Sequence, residues 1–169
     1  TSLVSITQEQ VKQVMGKIRE VVPVGFEHQS WDQLWVGFKE VPDIPIIQQQ
    51  LKSAYRQLGT LGGGNHFIEI QKDSEGFIWL MVHSGSRNFG YKIAKEYHER
   101  AVKLCSRWHS DIPDTELSFL PIESRDGKEY FEAMEYALDF AYANRKLILD
   151  RSLDCLDSVM GGYIYDPDA

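Results

Sequence analysis

The sequence predicts an α+β fold in which about four helices surround one β-hairpin, itself part of a larger sheet. Three observations carry this prediction. Apolar residues recur at helical spacing in four stretches, only two short runs alternate as strands do, and a glycine-rich segment immediately precedes the first of those runs. The 169 residues contain 25 Asp plus Glu against 18 Lys plus Arg, a formal net charge of −7, with 43% hydrophobic side chains. That composition excludes an intrinsically disordered chain, and the length allows one domain, or one and a half, with a real core.

Taken in order, Thr7-Gln8-Glu9-Gln10 has the form of a capping box, followed by Val11, Val14, Met15, Ile18 and Val21 on one helical face. Pro23 and Gly25 end that helix. Residues 24–42, with Trp31, Trp35 and Phe38, show no period and read as an irregular packed loop. Pro45 suits a first helical position, and Ile47, Leu51, Ala54, Tyr55 and Leu58 carry a second helix to Gly59. Gly59-Thr60-Leu61-Gly62-Gly63-Gly64 leads into strands near 65–72 and 77–83. A third helix follows Gly90 with Ile93, Ala94, Tyr97, Ala101 and Leu104. After a loop over 110–127, a long helix runs near 128–159, its apolar face read as Phe131, Met134, Leu138, Tyr142, Leu149, Leu153 and Leu156. Gly161-Gly162 closes it.

Composition also limits function. No run approaches the roughly 18–20 apolar residues of a membrane span, and no basic-then-apolar leader pattern is visible. Cys105 and Cys155 form no C-x-x-C, which fits a reducing cytoplasm rather than a disulfide framework or zinc ribbon. The acidic balance argues against nucleic-acid binding by general electrostatics, so any such contact is local. The chain opens on Thr1-Ser2 without Met and reads as a piece of something longer.

The hairpin carries the chemistry. If Asp73-Ser74-Glu75-Gly76 is a four-residue loop, Ile70 faces Trp79, Ile68 faces Met81 and His66 faces His83. Two opposed imidazoles where the strands meet a glycine run can hold a metal, or can be ordinary structural histidines. A one-residue slip would separate them. The same register sets Phe67, Glu69 and Gln71 against Val82, Leu80 and Ile78. There Glu69 needs a ligand with N–H donors, unless the hairpin is an edge ribbon and Glu69 faces water. The glycine run is neither a P-loop, because Asn65-His66 replaces Lys-Ser/Thr, nor G-x-G-x-x-G, because Phe67 takes the third glycine's place. Ser84-Gly85-Ser86-Arg87-Asn88-Phe89-Gly90 precedes a helix and suits an anion, with Arg87 as a fork donor, or is a plain strand-to-helix turn. No G-x-S-x-G elbow supports a serine hydrolase. His28, His98 and His109 lack metal-like spacing, and Lys92, Lys95, Lys103 and Arg107 mark a basic helix face of the solvated kind.

Gly59-Thr60-Leu61-Gly62-Gly63-Gly64-Asn65-His66-Phe67-Ile68-Glu69-Ile70 and Val82-His83-Ser84-Gly85-Ser86-Arg87 resemble the RtcB family of GTP- and manganese-dependent RNA ligases. The two blocks are long and specific, and the region after Gly90 also resembles the middle of the family. The resemblance implies the RtcB fold and an RNA ligase, acting in tRNA splicing or RNA repair. It would join 3′-phosphate or 2′,3′-cyclic phosphate ends to 5′-hydroxyl ends through a guanylylated histidine. It further implies Asn65, His66, Phe67, Ile68 and Glu69 at the GMP site, His66 and His83 as ligands of two Mn²⁺ ions, and Arg87 on the RNA phosphate. Asn88 stands where the family often has glycine, and Asn tolerates positive φ. The family's upstream Asp and Cys ligands, its His-His-Asn segment and the block with the guanylylated histidine are not found in these residues. The chain therefore resembles the central part of such a ligase, inactive on its own, with the remaining segments as partners. Two other classes stay open: a metal-dependent phosphohydrolase using His66 and His83, and a non-catalytic metal- or nucleotide-binding module.

Overall fold

The computed structural model describes residues 6–162. They form an α+β fold of four α-helices and, among the described residues, one two-stranded antiparallel sheet. Helix α1 spans Gln8–Val21, α2 Pro45–Gln57, β1 Phe67–Lys72, β2 Ile78–His83, α3 Phe89–Arg107 and α4 Arg125–Met160. The capping box at Thr7 is formed in both directions, Pro45 starts α2, and Gly161 closes α4 with φ +83°.

With 36 residues, α4 is the spine. At 1.5 Å per residue it is about 54 Å long. Its N-terminal half, through Ala133, Tyr136, Ala137 and Phe140, shares a core with Ile44, Ile47, Ala54 and Leu58 and with Phe89, Ile93 and Tyr97 of α3. Trp35 and Phe38, in the loop before α2, pack on this core. The C-terminal half, through Ile148 and Cys155, shares a second core with Val14 and Ile18 of α1, and with Val22 and Leu61. Ile68, Ile70 and Val82 of the hairpin pack against that second core.

The buried stripe of α4 departs from the expected one. Ala133, Ala137, Ala141, Asn144, Ile148, Ser152 and Cys155 face inward, whereas Phe131, Leu138 and Tyr142 are 45%, 60% and 65% exposed. Small side chains let α1 and α3 approach the helix closely, and dispersion contact depends on that approach. Weighting large apolar residues therefore picked the wrong phase for Phe131, Leu138 and Tyr142, while Leu156 packs on the second core as expected. The helix also begins earlier than expected, because the Ser124 hydroxyl accepts from Gly127 N at 3.0 Å and caps it. Likewise α3 begins at Phe89, before Gly90, with Phe89 N bonded to Ser86 O and Gly90 N to Ser86 Oγ.

The hairpin register differs by one residue from the expected one: Phe67 faces His83, Glu69 faces Met81 and Lys72 faces Ile78. The cause is Asp73. Its N–H bonds to Phe77 O, so Asp73 and Phe77 extend the ladder and the loop shortens to Ser74-Glu75-Gly76. Gly76 N bonds back to Asp73 O, and Gly76 takes φ +97°, as a three-residue turn with a glycine bulge requires. The Asp73 carboxylate also accepts from Glu75 N, Phe77 N and Trp79 Nε1, and the Trp79 bond leads in holding its carboxyl below the ordinary value.

An ionic cluster joins α3 to α4. Glu129 accepts from the Tyr97 hydroxyl at 2.8 Å and Arg100 Nη1 at 2.9 Å, and Arg100 also reaches Glu96 and Asp126. Burial works to raise the Glu129 carboxyl, but the Tyr97 and Arg100 bonds outweigh it and leave it lowered. The unfolded chain then binds a proton there more readily than the folded one. This contribution to stability is complete above the unfolded value of about 4.3 and is lost as pH falls through the depressed folded value. Glu129→Gln is expected to cost about 1–2 kcal/mol at neutral pH and to weaken the acid dependence, read as urea midpoints at neutral pH and at about pH 3.

Candidate functional site

Two turns meet at the open end of the hairpin. One, from Gly59 to Asn65, runs from α2 into β1; the other, from Ser84 to Asn88, runs from β2 into α3. The segment after α1 supports the first turn, with Leu61 N bonded to Pro23 O and Gly25 N to Gly62 O. Residues 24–42 are thus tied down by backbone pairing as well as by packing, and include a 3₁₀ turn over Val36–Lys39.

Arg87 is the hinge of the second turn. Its φ is +53° and that of Asn88 is +69°, two successive residues in the left-handed region. Asparagine enters that region readily; for arginine it is strained, and such strain persists only where surroundings hold it. Here Arg87 Nε donates to Thr60 Oγ1 at 2.7 Å and Nη2 to Gly25 O at 2.8 Å. Burial lowers the guanidinium pKa, yet it stays charged at neutral pH because its ordinary value is so high.

Gly62 lies between Arg87 and His66. A Cβ there would run into Arg87 Nη1 and His66 Nδ1, and at φ +96° any side chain is strained, so glycine is strongly favoured. His66 Nδ1 is buried and has no hydrogen-bond partner. Burial lowers the His66 pKa, the Arg87 guanidinium and His83 add to that, and the Leu61 carbonyl opposes it. The ring is therefore held neutral, the form in which imidazole binds a cation.

The altered register does not separate the two histidines. His66 lies before β1, outside the ladder, and its ring centroid is 5.8 Å from that of His83. His83 stacks on Phe67 at 5.4 Å with an interplanar angle of 12°. The outward face of the hairpin carries Phe67, Glu69 and Gln71 beside His83, Met81 and Trp79, and not, as expected, beside Val82, Leu80 and Ile78. Glu69 is exposed on a two-stranded ribbon, so its carboxylate faces water and does not need a ligand's N–H donors, and Asn65 is exposed too. Ile68 turns inward onto the second core, which leaves its backbone alone available to a ligand.

The other singled-out residues lie apart. His28 sits 3.3 Å from Gln57, His98 is 3.6 Å from Glu116, and His109 is exposed. Lys92 donates to Gln50 and Lys95 approaches Glu99, which moderates the basic face of α3. A cleft of about 480 Å³ lined by Lys17, His28, Trp31 and Arg151 holds none of the candidate residues. Sequence reasoning missed Thr60, Ser84 and Asn144, all buried and bonded to the two turns. The available signal was a lone Asn on an otherwise small and apolar helical face, hidden by the wrong phase for α4.

A guanidinium and two imidazoles lie around the glycine corner at Gly62. The sequence profile of tRNA-splicing ligase RtcB matches residues 2–166. Proteins named tRNA-splicing ligase RtcB are similar to the chain: that of Pyrobaculum aerophilum is 32% identical over 74% of this chain and 29% of its own length. That of Methanococcus maripaludis is 33% identical over 72% of this chain and 28% of its own length. That of Thermococcus kodakarensis is 36% identical over 66% and 26%. The chain belongs to the tRNA-splicing ligase RtcB family, and it spans less than a third of the length of these relatives.

The glycine corner has a direct test. Gly62→Ala is expected to lose at least about 1 kcal/mol more than Gly64→Ala, because both have positive φ but Gly64 has open space where a Cβ would go. Denaturant midpoints of the two variants measure the difference.

Proposed function

We propose that this chain supplies the guanylate-facing and part of the metal-binding surface of an RNA ligase of the RtcB type. The whole protein would join RNA 3′-phosphate or 2′,3′-cyclic phosphate ends to 5′-hydroxyl ends, using GTP and Mn²⁺, in tRNA splicing or RNA repair. Residues 1–169 form a single partial domain of that ligase, working in the cytoplasm with the protein's other segments; no helix among the described residues is long and apolar enough to cross a membrane. The observation that carries this reading is the buried His66 Nδ1 with no hydrogen-bond partner, across Gly62 from Arg87 and with the His83 ring beside it.

Imidazole nitrogens can ligate first-row divalent cations, Mn²⁺ being held most weakly of them, so oxygen ligands from elsewhere would complete its shell. Among the described residues no group of three or more His, Cys, Asp or Glu gathers into a metal cluster, so His66 and His83 would be only part of a coordination shell. Bound there, divalent manganese would neutralise phosphate charge and orient the attacking group. Arg87, anchored through Nε and Nη2, aims its positive charge at the same corner and would hold an RNA-terminal phosphate. Asn65 and the exposed Phe67 border the outward face, where Glu69 would accept two N–H donors from a guanine edge. Adenine presents no such pair.

Isothermal titration of the chain with Mn²⁺ should show an affinity that drops at least about tenfold in His66→Ala plus His83→Ala, each lost ligand removing a coordinate bond. Unchanged affinity would refute the pairing. In the full-length protein, Glu69→Gln should relax the preference for GTP over ATP, measured as nucleotide consumption in competition. The chain alone, given GTP, Mn²⁺ and RNA with 3′-phosphate and 5′-hydroxyl ends, should yield neither sealed RNA nor protein-linked GMP. The proposed guanylylated histidine lies outside these residues. A guanylylated adduct on any of its five histidines would relocate the active centre.

A further inference from the structure

We propose that Asn144 is a positioning residue, whose carboxamide sets the spacing between the two turns and thereby the placement of His66, His83 and Arg87. The consequence for metal binding rests on the function proposed above; the spacing itself does not. Asn144 is fully buried on the inner stripe of α4, where its neighbours are Ala137, Ala141 and Ile148. Packing alone would favour another small or apolar residue there.

The carboxamide instead bonds to both turns. Its Oδ1 accepts from Gly59 N at 2.7 Å and Thr60 N at 3.2 Å. Its Nδ2 donates to Thr60 O at 3.2 Å, Ser84 Oγ at 3.1 Å and Gly85 O at 3.1 Å. Two N–H groups serve three acceptors, so one bond is shared. Ser84 Oγ passes the link on, donating to Leu61 O at 2.7 Å. Arg87 Nε adds a third tie, to Thr60 Oγ1.

The geometry explains why this matters for the site. His83 directly precedes Ser84, Arg87 lies two residues after Gly85, and Gly62 follows the Leu61 carbonyl that Ser84 holds. The β ladder ends at Phe67 and His83 and leaves His66 outside it. Past that point no strand pairing sets the distance between the turns, so the side-chain bonds centred on Asn144 do so. Arg145 Nη1, 3.4 Å from Ser84 O, and Arg151 Nη1, 3.1 Å from Gly59 O, each reach one turn only.

Asn144→Asp keeps the size and the acceptor for Gly59 N and Thr60 N but loses the donors to Thr60 O, Ser84 Oγ and Gly85 O. Ser84→Ala removes one link and is the milder variant. Ala141→Gly loosens the same helical face without touching either turn, and controls for plain loss of stability. Each is made in the full chain and compared by circular dichroism, by nuclear Overhauser contact between the His66 and His83 rings, and by titration with Mn²⁺ alone. In Asn144→Asp the ring contact should weaken and the Mn²⁺ dissociation constant rise about tenfold, with a smaller change in the same direction for Ser84→Ala. Ala141→Gly should keep both at wild-type values. If Asn144→Asp does not fold, Ser84→Ala decides by the same two readouts. Wild-type ring contact in the folded Asn144 or Ser84 variant, or equal loss in Ala141→Gly, would overturn the proposal. Should the wild type itself bind no Mn²⁺, the metal assignment falls and the ring contact alone judges the positioning role.

Discussion

Burial of one face of α4 is the constraint on which the other placements depend. The helix is long enough to serve two cores in succession, and each core fixes different partners: α2 and α3 at one end, α1 and the hairpin at the other. Alanines at 133, 137 and 141 bring the backbones close, and close approach recovers the dispersion energy that their small area does not supply through the hydrophobic effect. Between the cores sits Asn144, at the level of the glycine-rich turn. A carboxamide there is costly unless every donor and acceptor is used, and here all of them are. The same helix therefore supplies both the packing surface and the polar link that organises the site.

The site combines a restrained backbone with side chains left short of partners. Arg87 and Asn88 adopt left-handed conformations, and Gly62 leaves space that any other residue would fill. Into that space come a guanidinium with two fixed hydrogen bonds and an imidazole with a buried nitrogen that has none. Buried polar atoms in folded proteins are almost always satisfied. The exception here, His66 Nδ1, lies beside a charged arginine and a second imidazole. Burial lowers the His66 pKa and the neighbouring Arg87 charge adds to it; that same charge attracts an anion to the corner.

On the outward face of the hairpin, the register decides the neighbours. A single hydrogen bond from Asp73 N to Phe77 O turns an even loop into an odd one and moves every cross-strand pair by one. Glu69 thereby comes onto the same face as His83 and Phe67, exposed and free to meet a ligand, rather than among Leu80 and Val82.

Local chemistry was enough to determine much of this protein. The capping box at Thr7, Pro45 at a helix start, the glycines closing α4 and the motif from Asn65 to Glu69 are short-range features, and their consequences stay within a few residues. The α+β class and the pairing of the hairpin strands followed from them. Only the tertiary structure decided which face of α4 is buried, because large and small residues alternate around it and the choice depends on how closely α1 and α3 approach. Only it decided the hairpin register, where the Asp73 side chain and backbone outcompete an even loop. And only it brought in Thr60, Ser84 and Asn144, whose hydrogen bonds join segments up to 85 residues apart. No local pattern encodes such a bond, since it exists only once the cores on either side have formed.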